Sequence, residues 1–258
     1  MNLPNSHRKE WGMANVAIEE IFGALLQQKL VVKAEFISNR YDAIVRYLRG
    51  EHSVEELALS LQRNSFLSHG TALTVHGIAP LGKIIYVNRE QSPKSQSGEI
   101  TQAGIGVAFR NKQRQSQYTL NCLKMKYMLL SGKHTRRAGV IRVKISGRQL
   151  DATDIERTLI DVVVRPAYAG GIENVVMAYM KVVNEIDIDH MIDILREVGH
   201  AYPYHQAIGF LLERAGRTAK DCEKFLALGQ QFDFYLDYKI KNPTFNQKWR
   251  LYYPPSLD

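Results

Sequence analysis

The chain has 258 residues, 45% of them hydrophobic and 23% charged, which is the composition of a folded globular protein and excludes a disordered or collagen-like one. Its two cysteines, Cys122 and Cys222, are far apart, so neither a disulfide framework nor a cysteine-based zinc site is expected, and the formal net charge is +8. No apolar stretch approaches the roughly 20 residues of a membrane helix, and residues 1–10 lack a signal core, so we expect a cytoplasmic protein without membrane contact.

The N-terminal part of the chain has mainly helical patterns. Apolar residues from Ile18 to Leu25 recur at helical spacing, and the alternation from Leu30 to Ile37 predicts a strand. Ser53 stands three residues before Glu56, which is the spacing of a capping box at the start of a helix. We therefore expect residues 1–64 to form a small N-terminal helical segment.

The rest of the chain predicts one domain over residues 65–258. A short helix over residues 68–76 ends at a capping glycine, after which the hydrophobic period changes to two and predicts a β-rich middle. The strands expected there are 83–87, 105–109, 123–130 and 140–145. The polar loop 88–101 is predicted to be mobile, and the pattern is helical from Thr153 to about Gln230. The predicted fold class is α/β, in the α+β arrangement, with a helical C-terminal half.

The positive charge is concentrated in one segment. Residues 100–150 contain eleven Lys and Arg and no Asp or Glu, so this segment carries +11 and the remainder of the chain −3. A surface of one sign predicts a partner of the other sign, and nucleic acid is the first candidate. The alternative is a solvated sheet face beside an acidic neighbouring subunit.

The two middle strands of this segment predict a basic hairpin. Strand alternation places Lys124 and Lys126 on one face of the first strand, and Arg142 and Lys144 on one face of the second. A cationic loop between the strands would form the tip. We expect nucleic-acid contacts, to DNA in preference to RNA, from eight residues: Lys124, Lys126, Lys133, Arg136, Arg137, Arg142, Lys144 and Arg148. Like charges on an edge strand also prevent aggregation, which is the structural alternative.

The acidic residues that follow have a structural interpretation. With Thr153 as N-cap, Glu156 completes a capping box, and Arg157, Asp161 and Arg165 form an ion-pair ladder at i, i+4 spacing. The competing hypothesis is a nuclease-like site that uses Asp154, Glu156 and Lys144. We favour the structural interpretation and expect no catalytic residue.

The histidines do not predict a metal site. His69 and His76 are seven residues apart, too far for the i, i+4 geometry of a helical metal pair. Asp187, Asp189 and His190 lie at a predicted helix start, where capping accounts for the acidic residues. No phosphate-binding glycine loop follows a strand, so no metal and no cofactor is expected.

Six segments carry a recognisable pattern, which includes a Ser-His-x-x-Ala-Leu element at 68–73 and a Glu-Arg-Thr-Leu-x-Asp element at 156–161. The segments are 65–77, 84–91, 154–161, 164–171, 202–210 and 249–254. In their order and spacing they resemble the AbiEi family of antitoxins from bacterial toxin–antitoxin and abortive-infection loci, and the resemblance covers roughly residue 60 to the end.

This resemblance implies a non-enzymatic antitoxin of a phage-defence system. Its partner would be a nucleotidyltransferase toxin of the AbiEii type, and it would repress transcription of its own operon by binding DNA. Family members place a winged helix-turn-helix before the shared region, whereas residues 1–64 show no turn-and-wing signature and would at most be a degenerate version of it. The basic hairpin belongs to the shared region and would be the substitute surface.

Aromatic residues with polar tips are concentrated in the C-terminal half. Tyr204, Trp249 and Tyr252 are of the types enriched at the centres of protein interfaces. We expect them to contact the partner toxin. The alternative is that they close the core beneath the last helices.

Overall fold

The computed structural model of the protein describes residues 18–93 and 99–258. They belong to two compact units, Met1–His52 and Ser53–Asp258. Its mixed α/β character, with a β-rich middle and a helical C-terminal half, confirms the predicted fold class. Within the described ranges, no helix is long and apolar enough to cross a membrane.

The first unit has a helix followed directly by a β-hairpin. Helix α1 (Ile18–Gln27) precedes strands β1 (Val32–Phe36) and β2 (Ile44–Leu48), which pair antiparallel. The ring of Phe22 stacks on that of Tyr47, with 4.1 Å between the ring centroids. The helix and β1 were predicted; β2 was not, so the segment expected to be helical also contains a two-stranded hairpin.

The second unit has a six-stranded mixed sheet with helices before, within and after its strands. The sheet order is β5-β6-β4-β3-β8-β7. The elements up to the end of the sheet are α2 (Val54–Leu59), β3 (Phe66–Leu67), α3 (His69–Val75), β4 (Ile84–Glu90), α4 (Gln102–Arg110), β5 (Thr119–Cys122), β6 (Met125–Gly132), β7 (Val140–Ile145) and β8 (Arg148–Thr153). The predicted capping box at Ser53 is present, with Ser53 and Glu56 bonding each other's backbone N–H.

The remaining elements are helical except for a small terminal sheet. They are α5 (Ile155–Val164), a 3-10 turn (Pro166–Ala169), α6 (Ile172–Val182), α7 (Ile188–Val198), α8 (Tyr204–Arg214), α9 (Ala219–Leu226), β9 (Phe234–Tyr235), β10 (Thr244–Asn246), β11 (Leu251–Tyr253) and a 3-10 turn (Pro255–Leu257). The terminal sheet has the order β10-β11-β9.

One predicted strand is wrong, because residues 105–109 lie inside helix α4. Thr101 caps this helix by accepting a hydrogen bond from Gly104 N. Ile105 and Phe109 are buried while Val107 is 59% exposed. A strand would place these three side chains on one face, whereas a helix separates the middle one from the other two.

The loop expected at residues 88–101 begins later than predicted, because β4 continues to Glu90. Residues 94–98 of this loop lie outside the described part of the chain.

The predicted pairing of the two basic strands is also wrong. Strand β6 pairs with β4 and β5, and β7 pairs with β8. Four interstrand steps of about 4.8 Å separate β6 from β7, which places them roughly 19 Å apart. A basic hairpin does exist, but it consists of β7 and β8. Its turn residues Ser146 and Gly147 both have positive φ, 47° and 83°, as a type I′ turn requires.

Trp249 fixes the terminal sheet to helix α8. Its side chain is fully buried, and its indole Nε1 donates to Glu213 Oε2 at 2.6 Å. The side-chain amide of Gln206 donates to Trp249 O at 2.8 Å. The indole lies directly against Gly209, where a Cβ atom would overlap its six-membered ring. The helix therefore requires glycine at this position for the ring to pack.

Candidate functional site

The eight cations predicted to contact nucleic acid do not form one surface. Lys124 and Lys126 belong to the β5–β6 edge of the sheet, while Arg142, Lys144 and Arg148 belong to the β7–β8 edge. The other three lie in the connection between β6 and β7: Lys133, Arg136 and Arg137. The charge is therefore divided between the two ends of the sheet and a central connection.

Four of these cations have partners within the protein. Lys133 Nζ donates to Gly199 O at 2.5 Å, and Arg148 pairs with Glu56 at 2.9 Å. Arg137 and Arg142 share the carboxylate of Asp151, at 2.6 and 3.3 Å. The other four are exposed and form no ion pair with any described residue: Lys124, Lys126, Arg136 and Lys144. Acidic residues outside the basic segment thus neutralise part of it.

The acidic residues at the start of α5 cap and connect helices, in a different pattern from the one predicted. Asp154, not Thr153, is the N-cap, and its Oδ1 accepts from Arg157 N at 2.7 Å. Glu156 Oε1 accepts from Asp187 N at 2.8 Å. It therefore bonds the start of α7 and not the N-cap of its own helix. Asp187 itself caps α7, as predicted.

These carboxylates lie beside a histidine. His190 Nε2 is 3.0 Å from Asp154 Oδ2, and this hydrogen bond raises the pKa of His190. Ligand atoms of Asp154, Glu156 and His190 lie within 4.8 Å of one another, a separation that a metal ion could bridge. The nuclease-like group that would include Lys144 is not formed. Thr153 pairs with Val140 on β7, and Lys144 lies four residues further along that strand, which is about 13 Å away.

Polar side chains surround a cavity of about 440 Å³ beside α5. It combines residues from segments that are far apart in the sequence. Those that carry the chemistry are His69 from α3, Lys133 from the β6–β7 connection, Arg157 and Asp161 from α5, Arg165 from the end of α5, and His200 from the end of α7.

Arg157 is the central residue of this cavity. Its side chain is 5% exposed, and its Nε donates to Asp161 Oδ1 at 2.9 Å, which confirms the first pair of the predicted ladder. Its Nη1 donates to Thr135 Oγ1 at 3.2 Å and to Ala138 O at 2.6 Å. Gly139 leaves room for it, because a Cβ there would be 2.5 Å from Arg157 Cβ.

The second pair of the ladder is not formed. Arg165 Nη1 donates to Tyr238 OH at 3.4 Å, and the only bond from Arg165 to Asp161 joins backbone atoms. Asp161 Oδ2 is buried and has no hydrogen-bond partner among the described residues. Spacing on a helix permits an ion pair, but the two side chains here point to different neighbours.

Both cavity histidines are held in the neutral form. Burial lowers the pKa of His69 and that of His200 to about 4, because desolvation penalises the charged ring. His69 Nδ1 is 2.8 Å from Ser68 Oγ. The backbone of His69 has φ 51°, an unfavourable value for a residue other than glycine and one that is over-represented at functional sites. His200 Nε2 is buried without a hydrogen-bond partner among the described residues.

A larger apolar groove, of about 840 Å³, lies on the other side of Tyr168. Helices α3 and α6 and the segment between α3 and β4 line it, and Tyr168 lines both the groove and the cavity. Three large apolar side chains of the groove are exposed: Leu81 by 52%, Met177 by 64% and Met180 by 44%. Exposed apolar side chains grouped in this way are typical of binding surfaces.

Two of the three aromatic residues expected at the partner surface are buried instead. Trp249 is fully buried and Tyr204 is 5% exposed, so both belong to the core. Tyr252 is half-buried and packs on Tyr235, with 4.9 Å between the ring centroids. Trp249 and Tyr204 therefore belong to the core of the same chain, whereas Tyr252 stays partly exposed.

Sequence reasoning identified part of the cavity only. The segments quoted for the resemblance contain His69, Arg157, Asp161 and Tyr168, and the Arg157–Asp161 pair was predicted from its spacing. His200 was missed because it follows a helix without any motif around it. No local signal indicates that it lies beside His69.

The chain matches no protein-family model and no curated protein. Among solved structures, it is similar to the crystal structure of the RV2827C protein from Mycobacterium tuberculosis, with a TM-score of 0.57 and 11% sequence identity. The similarity covers 96% of this chain and 83% of that chain. At this identity the likeness shows a shared fold alone.

We predict that Arg157→Ala lowers the free energy of unfolding by about 3–5 kcal/mol, because it leaves the carboxylate of Asp161 buried without its partner. Arg148→Ala is the matched control, since its pair with Glu56 is half exposed and such pairs contribute about 0–1 kcal/mol. Urea unfolding followed by circular dichroism measures both. Equal losses in the two variants would contradict the central role of Arg157.

We predict that stability falls on acidification from pH 6.5 towards 4, partly through His69. Its pKa is lower in the folded protein than in the unfolded chain, so the unfolded chain takes up the proton first and stability rises with pH in this window. The His69→Gln variant should show a flatter profile of melting temperature between pH 4.5 and 6.5.

His190→Gln is the control for this pH dependence. The pKa of His190 is raised in the folded protein, so its contribution is fully present below pH 6.5 and is lost above it. This variant should therefore lower stability by a constant amount below pH 6.5 and change the slope of the profile only above it. A His69→Gln profile that parallels the wild type would show that His69 is not kept neutral.

Proposed function

We propose that the chain is a non-enzymatic, antitoxin-like regulatory protein of the cytoplasm that binds and neutralises a nucleotidyltransferase toxin of the AbiEii type. The observation that carries this proposal is the convergence of three segments quoted for the AbiEi resemblance. His69 packs edge-on against Tyr168, with 5.2 Å between the ring centroids, and Arg157 and Asp161 line the same cavity. Residues from three separate motifs of the resemblance thus lie together in one structural group.

The bonds of the acidic residues favour this proposal over the nuclease-like alternative. Asp154 and Glu156 accept hydrogen bonds from backbone groups and a histidine, which gives both carboxylates a structural role. Lys144 is too far along β7 to join them. Metal-dependent cleavage of labelled DNA or RNA that is abolished by Asp154→Asn would instead support an enzyme.

The apolar groove is the surface we assign to the toxin. It replaces the aromatic tail, because Trp249 is buried while Met177 and Met180 are exposed. Methionine side chains are flexible and polarisable, so they adapt to the surface of a partner. Two lysines border the groove: Lys181 donates to Gly77 O and Ile78 O, and Lys83 is exposed. Because the large exposed side chains are apolar, the main contribution to binding would be hydrophobic.

Nucleic-acid binding is the second part of the proposal. In the first unit, α1 is followed at once by the antiparallel β1–β2 hairpin, the order in which a winged helix has its recognition helix and wing. In the second unit, the β7–β8 hairpin presents Arg142, Lys144 and Arg148 at a sheet edge. Both features fit DNA binding and operon repression, with backbone phosphates contacted by the cations.

We predict that Met177→Asp combined with Met180→Asp weakens toxin binding at least tenfold, which corresponds to about 1.4 kcal/mol. A charge in the groove must be desolvated on binding. The chain is co-expressed with the product of its neighbouring gene, and growth rescue and affinity are measured. Val107→Asp is the matched control, since Val107 is equally exposed on a helix outside the groove. Full rescue by a folded groove variant would contradict this assignment.

We predict that DNA affinity depends on salt through the β6–β7 connection and the β7–β8 edge. Changing Arg136 and Lys144 to Gln should reduce the slope of log affinity against log salt concentration by about 1.8, which is roughly 0.9 for each phosphate contact. Changing Lys124 and Lys126 to Gln, at the opposite edge, should leave the slope unaltered. Fluorescence anisotropy with labelled duplex DNA measures both slopes, and the reverse order of effects would place the contact at the β5–β6 edge.

A further inference from the structure

We propose that the cavity between α3, α5 and α7 binds a phosphorylated small molecule of about the size of a mononucleotide. This goes beyond the proposed function, which concerns a toxin and DNA. Four cations line the cavity, Arg114, Lys133, Arg157 and Arg165, against the single carboxylate of Asp161. Such an excess of positive charge in a concave site attracts an anion, and guanidinium groups match the geometry of phosphate.

The four cations lie at different depths in the cavity. Arg114 and Lys133 are exposed at the mouth of the cavity, Arg165 is half-buried and Arg157 is buried. Arg157 is already bonded to Asp161, Thr135 and Ala138. The outer cations have fewer internal bonds, one from Lys133 to Gly199 O and one from Arg165 to Tyr238 OH. These three cations are therefore the groups we assign to the phosphate, while Arg157 holds the inner wall in place.

Two buried atoms on the inner wall indicate a ligand with further polar groups. Asp161 and His200 line the cavity, and their buried Oδ2 and Nε2 atoms have no hydrogen-bond partner among the described residues. Asp161 is 6% exposed, and a buried carboxylate oxygen is costly unless a donor reaches it. A hydroxyl or amino group of a ligand would donate to this oxygen.

The cavity has room and apolar surface for the rest of such a molecule. Its volume of about 440 Å³ is within the range of small-molecule sites. Leu130, Val164, Val198 and the ring of Tyr168 complete its wall. A nucleoside monophosphate combines a dianionic phosphate, sugar hydroxyls and a flat ring in one molecule, so it has the chemistry that each part of the wall requires.

The test measures binding to the full chain without toxin or DNA. Each of AMP, GMP, CMP and UMP is titrated by calorimetry, alongside its nucleoside and inorganic phosphate. We expect at least one nucleotide to bind at least tenfold more tightly than both its nucleoside and phosphate. If no nucleotide binds, or if phosphate or the nucleoside alone binds equally well, the proposal is wrong. Because no toxin or DNA is present, such a failure leaves the proposed function untouched.

Variants at the mouth of the cavity identify the site. Arg114→Gln and Lys133→Gln change exposed residues, so the fold should be retained, and each should weaken nucleotide binding at least fivefold. Lys144→Gln is the matched control, because it removes an exposed cation from the β7 edge, outside the cavity lining. Nucleotide affinity that responds equally to all three variants, or to none, would overturn the assignment to this cavity.

Discussion

The buried guanidinium of Arg157 is the constraint on which the centre of the second unit depends. A charged group out of water must have both a counter-ion and acceptors for its N–H groups. Here the counter-ion is on the same helix, while the acceptors Thr135 and Ala138 belong to the β6–β7 connection. Thr135 in turn bonds the carboxylate of Glu90 at the end of β4. One cation thereby joins a helix, a sheet end and a long connection, and it shapes the inner wall of the cavity.

How much of the fold the sequence predicts depends on how local the causes are. The Ser53 capping box, the cap at Asp187 and the amphipathic helices of the C-terminal half depend on residues within one or two turns, and they were predicted correctly. The strand expected at 105–109 failed because a five-residue apolar run fits a helix or a strand equally well. The hairpin of β6 and β7 failed because strand pairing is decided across the whole sheet, where β4 competes successfully for β6.

The candidate sites follow the same division. Spacing alone predicted the ion pair of Arg157 and Asp161, since both lie on one face of a helix. It could not predict that His200 approaches the same place from a helix that begins some thirty residues later, or that Asp161 has an oxygen without a partner. The acidic residues at the start of α5 cap and connect helices, but Glu156 bonds a distant backbone N–H because tertiary contacts, not local spacing, determine its partner.

The close fit of the Trp249 indole against Gly209 has a consequence for how the chain is made. During synthesis, N-terminal segments leave the ribosome first and begin to fold as they emerge. Helix α8 emerges with Gly209 uncovered, and the acceptors of its Gln206 amide, Phe232 O and Trp249 O, follow 26 and 43 residues later. Until that tryptophan arrives, the face of α8 is an open apolar surface on a nascent chain. The sequence separation between Gly209 and Trp249 thus sets how long this face of the growing chain is open to aggregation or to chaperone binding.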